Sequence, residues 1–188
     1  MKKYKAIGIV LAILLLLSTS LTTLTANNEE EWKIDKYFFI HPRKSPPEPF
    51  FMVVVGENAA KSDYKAAILV INTVLEIYGW DEKFDPNFFI VDDSEVLTLP
   101  IYVRRIIIGG PGLTVGDGEK VHICNKITKK LVDEERSKIN WFESNGTYEY
   151  LPWNISDTGM DTVIIAGKDR EATMKAVKMF IKDLKKNS

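Results

Sequence analysis

Three short, largely apolar runs, each closed by a glycine, constrain the fold of this chain more than any other feature. They occupy residues 50–55, 103–108 and 162–166. The first is apolar at every position and rich in β-branched residues, which is typical of a strand buried on both faces of a parallel sheet. The chain is therefore predicted to contain a mostly parallel sheet that is covered on both sides.

A helical pattern follows each of these predicted strands. The first helix begins near Asn58 or Ser62, either of which is a good capping residue, and ends at Gly79. The second spans residues 117–132, and the third begins at Asp169. Their apolar faces are predicted to consist of Ala67, Ile71, Val74 and Tyr78 in the first, Val121, Cys124, Thr128 and Leu131 in the second, and Ala172, Ala176, Phe180 and Leu184 in the third.

Three further strands complete the predicted fold. One covers residues 88–91, and two more, 139–143 and 148–150, flank Asn145-Gly146, a pair typical of tight β-hairpins because both residues tolerate positive φ. The resulting element order predicts an α/β fold, a three-layer sandwich whose mostly parallel sheet carries an antiparallel hairpin extension.

The N-terminal 26 residues differ from the rest of the chain. Three lysines precede an apolar run at residues 6–17, which then gives way to small polar residues up to Ala26. This pattern indicates a secretory signal peptide, while an N-terminal membrane anchor remains the alternative. A Pro-rich extended arm is predicted at residues 27–49, and a single α/β domain at residues 50–188.

Composition narrows the classes of function. The 25 basic and 26 acidic residues give a net charge of -1, which offers no electrostatic basis for nucleic-acid binding. A single cysteine excludes an intramolecular disulfide. Lysine is abundant and glutamine absent, a bias found in hyperthermophile proteins and also produced by A+T-rich codons.

Motifs for cofactors and catalysis are not found in the sequence. The segment at residues 109–112 is glycine-rich but lacks the spacing of a phosphate-binding loop. His41, His122 and Cys124 are too few for a zinc site, and Cys124 is interpreted as a small core residue. No cofactor or metal is therefore expected, and turn-forming roles are favoured over calcium binding for Asp92, Asp93 and Asp117.

The carboxyl end of the first strand is the one place where a small ligand is considered. Glu57, Asn58 and Asp63 follow that strand, and ligands of α/β sheets bind at this edge. Helix capping is the competing interpretation of Asn58 and Asp63. Two glycosylation sequons begin at Asn145 and Asn154 and are expected to be used if the chain is exported.

Three blocks of the sequence resemble archaeal S-layer proteins of the methanococcal and thermococcal type. They are residues 53–63, running into an Ala-rich helix, the strand-Gly-Gly-Pro element at 106–112, and the strand-Ala-Gly segment at 163–173. The chain departs from that family in its small size. The resemblance implies a non-enzymatic structural protein of the cell surface, with no catalytic residues to carry over.

The sequence predicts two alternative functions. The leading one is a secreted or cell-surface structural protein whose partners are other envelope proteins or glycans, with self-association included. It has no nucleic-acid partner, and it contacts a membrane only through an uncleaved N-terminal segment. The alternative is an extracytoplasmic ligand-binding or enzymatic domain that uses the carboxyl edge of the sheet.

Overall fold

In a computed structural model of the chain, the three apolar runs form the three central strands of one sheet. The structure describes residues 34–96, 103–112, 124–156 and 160–188, all of which belong to the unit Lys33–Ser188. The predicted signal or anchor lies outside the described residues. Within them, no helix has the length and apolar character needed to cross a membrane.

The sheet has five strands in the order β2-β1-β3-β5-β4. Their bounds are Phe51–Val55 for β1, Ile90–Asp92 for β2, Arg104–Ile108 for β3, Thr147–Leu151 for β4 and Thr162–Ala166 for β5. The pairs among β2, β1, β3 and β5 are parallel, and β4 is antiparallel to β5. The α/β class and the mostly parallel sheet with an antiparallel extension are confirmed.

Four α-helices accompany these strands in the described part of the chain. They are α1 at Lys61–Ile77, α2 at Lys126–Asp133, α3 at Trp153–Ser156 and α4 at Arg170–Lys186. Two short 3-10 helices, Lys36–Phe38 and Pro86–Phe89, precede β1 and β2. Phe38 and Phe39 of the predicted arm are buried, and Ile40 forms an isolated antiparallel bridge with Pro49.

The core forms two layers, one on each face of the sheet. Helices α1 and α4 pack against each other and against β1 and β5 on one face. On the opposite face, Val54, Ile107 and Ile164 lie side by side across β1, β3 and β5 and pack beneath Leu131 of α2 and the indole of Trp141. All of these side chains are almost completely excluded from solvent, so the sheet is covered on both sides as predicted.

The predicted hairpin is wrong in its first strand. Residues 139–143 form turns, and Trp141 is buried within them, so β4 pairs with β5 instead of with a preceding strand. Gly146 has φ +102, as the Asn-Gly signal requires, but it follows a turn that packs against α4. Burial of the large Trp141 side chain in the core holds this segment in a turn.

The second predicted helix begins later than the sequence pattern indicated. Asn125 has an extended backbone, with φ -145 and ψ 119, and its side chain accepts hydrogen bonds from the N–H groups of Ile127 and Thr128. It is therefore the N-cap, and α2 starts at Lys126. Cys124 precedes the helix, while residues 117–123 of the prediction lie outside the described residues.

The predicted strand at 88–91 begins two residues later and ends one residue later than expected. Pro86 starts a 3-10 turn that Asp85 caps through the Asn87 N–H, so Phe88 and Phe89 belong to this turn. The strand itself is Ile90–Asp92 and lies at the edge of the sheet.

Candidate functional site at the carboxyl edge of the sheet

A cleft of about 630 Å3 opens at the carboxyl ends of the central strands. The strand order creates it, because the chain leaves β1 for β2 at one edge of the sheet and leaves β3 for β4 at the opposite edge. The loops that follow β1 and β3 therefore diverge, which is the place where open α/β sheets bind ligands. We call this feature the carboxyl-edge cleft.

The walls of the carboxyl-edge cleft come from three strand-exit loops and from the starts of α1 and α4. Glycines dominate the loops, and charged side chains dominate the helix starts. The lining residues are Asn58, Ala59, Ala60, Asp63, Gly109, Gly110, Gly112, Cys124, Gly167, Lys168, Asp169, Arg170, Glu171 and Thr173.

Asp63 lies at the start of α1 and is mostly buried. Its carboxylate accepts hydrogen bonds from the Ala60 N–H at 3.2 Å and from the Ser62 hydroxyl at 3.4 Å. Burial raises the pKa of this carboxyl above its ordinary value of 3.8, although those hydrogen bonds and the charge of Arg170 act in the opposite direction. Asp63 therefore has the helix-capping role considered for it, and it also faces the carboxyl-edge cleft.

The predicted caps of α1 are wrong, because Ala60 occupies the N-cap position. Ser62 lies inside the helix, and Asn58 lies in the preceding turn, where it is exposed and lines the carboxyl-edge cleft. Asp63 at the third helical position compensates for the missing side-chain cap, because its carboxylate satisfies the Ala60 N–H.

Asp169 caps α4 as the sequence predicts, since its carboxylate accepts the Ala172 N–H at 2.8 Å. The start of α4 also brings Arg170 and Glu171 to the carboxyl-edge cleft, next to Lys168. Three acidic and two basic side chains thus line the cleft once Asp63 is included. The mixed charge does not favour either a purely anionic or a purely cationic ligand.

Cys124 is half-buried and lines the carboxyl-edge cleft, so its interpretation as a core residue is wrong. Burial and the nearby Asp63 raise the pKa of its thiol, while Arg170 lowers it. A raised pKa keeps the thiol protonated at neutral pH, which makes it a poor nucleophile. His122 lies outside the described residues, and His41 accepts the Arg43 N–H in the arm.

Glu57 does not line the carboxyl-edge cleft, so the sequence prediction that it shares a ligand site with Asn58 and Asp63 is wrong for this residue. Its carboxylate pairs with the ammonium group of Lys126 at 2.5 Å, on the α2 side of the sheet. Its backbone N–H donates to Asp93 at 3.0 Å. Of the three residues predicted for a ligand site, Asn58 and Asp63 therefore line the cleft, whereas Glu57 binds Lys126 at the start of α2.

Asp93 is the functional residue of this region that sequence reasoning underestimated. It is 5% exposed, and its two carboxylate oxygens accept the N–H groups of Glu57 at 3.0 Å and Lys126 at 2.6 Å. One carboxylate thus joins the β1 exit loop to the start of α2. Asp92 instead accepts the Tyr64 hydroxyl at 2.9 Å, and no cluster of three metal-binding side chains occurs in the described ranges.

Two strand-exit glycines allow close backbone packing at the same edge. A Cβ on Gly56 would overlap the carbonyl oxygen of Cys124, and a Cβ on Gly167 would overlap Ala172. Neither position has a positive φ, so close approach and not backbone strain requires glycine there. Both glycines therefore lie in close-packed turns where a strand ends.

The glycine-rich segment after β3 is also used for packing. The Thr128 hydroxyl donates to the Gly109 carbonyl at 2.8 Å, and the Asn125 N–H donates to the Gly110 carbonyl at 3.1 Å. These carbonyls bind α2 and its cap, so this segment fixes the helix on the sheet.

Both sequon asparagines are exposed. Asn145 lies in the turn before β4, and Asn154 lies on α3 beside Trp153, which is 64% exposed.

The comparison with known families is decisive at this point. The model of the S-layer like family, outer domain, matches residues 91–184, which is half of the chain. The chain belongs to this S-layer-like family. The match runs from β2 to the last turn of α4 and includes the second and third resemblance blocks, while β1 and α1 precede it. No curated protein matches the chain.

Membership in an S-layer-like family implies a structural role at the cell surface. The archaeal, methanococcal and thermococcal character of the resemblance stays a prediction.

Proposed function

We propose that this protein is a non-enzymatic structural module, exported by its N-terminal 26 residues, that acts through contacts with other envelope proteins, glycans or further copies of itself. The match of half the chain to an S-layer-like outer domain carries this proposal. The basic and apolar N-terminal segment and the two sequons support export.

The chemistry of the carboxyl edge supports a structural role. The side chains of Asp93, Asn125 and Thr128 form hydrogen bonds with backbone groups, and these bonds join loops to helices. The Cys124 thiol has a raised pKa and is a poor nucleophile. These side chains stabilise the fold without leaving an activated group for catalysis.

Fractionation of native cells with mass spectrometry of the mature protein tests the proposal. We expect the chain in the envelope or the medium, beginning near Asn27, with cross-links to envelope components. Peptides that contain Lys2 in a membrane fraction would support the anchor instead of the signal. Recovery of the protein from the cytoplasm alone would contradict export.

The carboxyl-edge cleft supports a second candidate, a small-ligand-binding module. Its volume of about 630 Å3 lies in the usual range for small-molecule sites, and it stands where such folds bind ligands. A ligand that binds the native state must raise the unfolding temperature.

A cleft-narrowing variant separates the two candidates. Asn58→Tyr should fill part of the carboxyl-edge cleft, whereas Asn72→Tyr, on an exposed position of α1, should not. Thermal unfolding is measured for both variants with ATP, NAD, Zn²⁺ and a panel of sugars. A shift that is lost only in Asn58→Tyr would establish ligand binding, and no shift in any protein favours the structural role.

A further inference from the structure

Arg105 is a buried cation in the middle of the sheet. It is the second residue of β3, and it stands in register between Met52 of β1 and Thr162 of β5. It alternates with Ile106 and therefore lies on the face that carries Ile107 and α2. Only 6% of its surface is exposed, although arginine is almost never buried without a partner.

Arg105 lacks an acceptor within the described ranges. Its Nε is buried with no hydrogen-bond partner, and no carboxylate there forms an ion pair with it. Its neighbours across the strands are the apolar Met52 and Thr162, whose hydroxyl donates to the Met160 carbonyl at 3.3 Å. Burial lowers the pKa of the Arg105 guanidinium, and no acid among the described residues offsets that effect.

Two other arginines, Arg104 and Arg136, differ from Arg105. Arg104 points to the opposite face, and its Nη1 donates to the Ile40 carbonyl at 3.3 Å, although its Nε has no acceptor. Arg136 pairs with Glu134 at 2.8 Å. Arg104 therefore provides a matched control, because it is the adjacent residue, carries the same charge and has a hydrogen-bond acceptor for one of its guanidinium nitrogens.

We propose that Arg105 is the anchor of an anion site that takes a carboxylate group. A guanidinium presents five donors in a planar fork that fits two carboxylate oxygens, and it remains costly in the fold until such a partner arrives. Because so little of Arg105 is accessible to solvent, the group that carries the carboxylate must be small in cross-section. A small free carboxylate and the acidic side chain of a second copy of this chain share this chemistry, and the site would serve in either of the functions considered above.

Thermal unfolding of the full chain tests the site. The unfolding temperature is compared in sodium acetate and sodium chloride at equal ionic strength for wild type, Arg105→Met and Arg104→Met. Acetate also affects stability in general, so the difference between variants is the measured quantity. We expect acetate to raise the unfolding temperature of wild type and of Arg104→Met by several degrees more than that of Arg105→Met.

Arg105→Lys keeps the proposal testable if Arg105→Met does not fold. Lysine retains the charge and loses the fork, so acetate affinity should fall at least tenfold.

Sedimentation velocity identifies the source of the carboxylate. If a second copy supplies it, wild type associates, acetate dissociates it, and Arg105→Met remains monomeric. If the source is a free carboxylate, all proteins are monomeric and only the thermal effect is seen.

One result would overturn the proposal. Equal responses of wild type and Arg105→Met to acetate, with identical sedimentation, would show that water alone solvates the guanidinium.

Discussion

The carbonyl oxygen of Cys124 occupies the position in which a side chain on Gly56 would begin. Through this contact, the exit of β1 lies directly against the segment that leads into α2. The Asn125 cap and the Asp93 bridge surround the contact, so the carboxyl edge is held together by backbone groups at close range.

Substitution of Gly56 by alanine should therefore destabilise the fold. The added methyl overlaps a backbone carbonyl, which cannot rotate away as a side chain would, and overpacking of this kind costs about 1–3 kcal/mol. Gly167→Ala should behave in the same way, because its Cβ would overlap Ala172. Urea denaturation gives the free energy of unfolding, and Asn72→Ala, on an exposed part of α1, is the control. A Gly56→Ala protein as stable as wild type would mean that this contact is not formed.

Asp93→Asn should lower the free energy of unfolding by about 1–3 kcal/mol. The amide keeps the size of the carboxylate but presents an NH2 group to one of two backbone N–H donors, from Glu57 and Lys126. Asp92→Asn is the matched neighbour, and its effect should be smaller because its half-buried carboxylate accepts one hydrogen bond, from the Tyr64 hydroxyl. Equal losses in the two variants would argue against a bridging role of Asp93.

The contribution of Asp63 to stability should decrease as pH rises. Its pKa is raised in the folded state, so the folded chain holds this proton more tightly than the unfolded chain does. The stabilisation is fully present below the unfolded value near 3.8 and is lost as pH rises through the folded pKa.

Comparison with Asp63→Asn isolates this effect from the other carboxylates. The free energy of unfolding of wild type minus that of the variant, measured by urea denaturation from pH 3 to pH 7, should fall with pH. A difference that rises over this range would show that the Asp63 pKa is lowered instead.

Trp141→Ala should cost about 3–5 kcal/mol, as is usual for a buried large aromatic residue. The indole fills the layer beside Leu131 and Ile164, and its Nε1–H donates to the Ser137 hydroxyl at 2.7 Å. Phe142→Ala changes the next residue, which is exposed, and should change stability by less than about 0.5 kcal/mol. Similar losses for the two variants would place Trp141 outside the core.

Asn145 and Asn154 should both carry glycans in the native host, because both are exposed. Glycopeptide mass spectrometry measures the occupancy, with Asn145→Gln and Asn154→Gln as controls for each site. Fully unmodified peptides over both sites would contradict either their use or the export of the chain.

The amino-acid sequence alone predicts the strands and helices whose burial pattern is local. The uninterrupted apolar run before Gly56 predicts a strand covered on both faces. Strands β1, β3 and β5 lie where the three apolar runs predict them. The helix that starts after Asp169 shows its cap and its apolar face in the sequence, and the structure matches both. These signals depend on neighbours within a few positions along the chain.

Contacts between residues that are far apart in sequence depend on the fold as a whole. The hairpin signal at Asn145-Gly146 was real, but burial of Trp141 and pairing of β4 with β5 determined the outcome. Likewise, Asn58 and Asp63 line the carboxyl-edge cleft, whereas Glu57 forms an ion pair with Lys126. The roles of Asp93 and Arg105 depend on their burial, which the sequence does not reveal. A local pattern specifies periodicity, whereas the cost of burying a charge depends on which groups the whole fold brings to it.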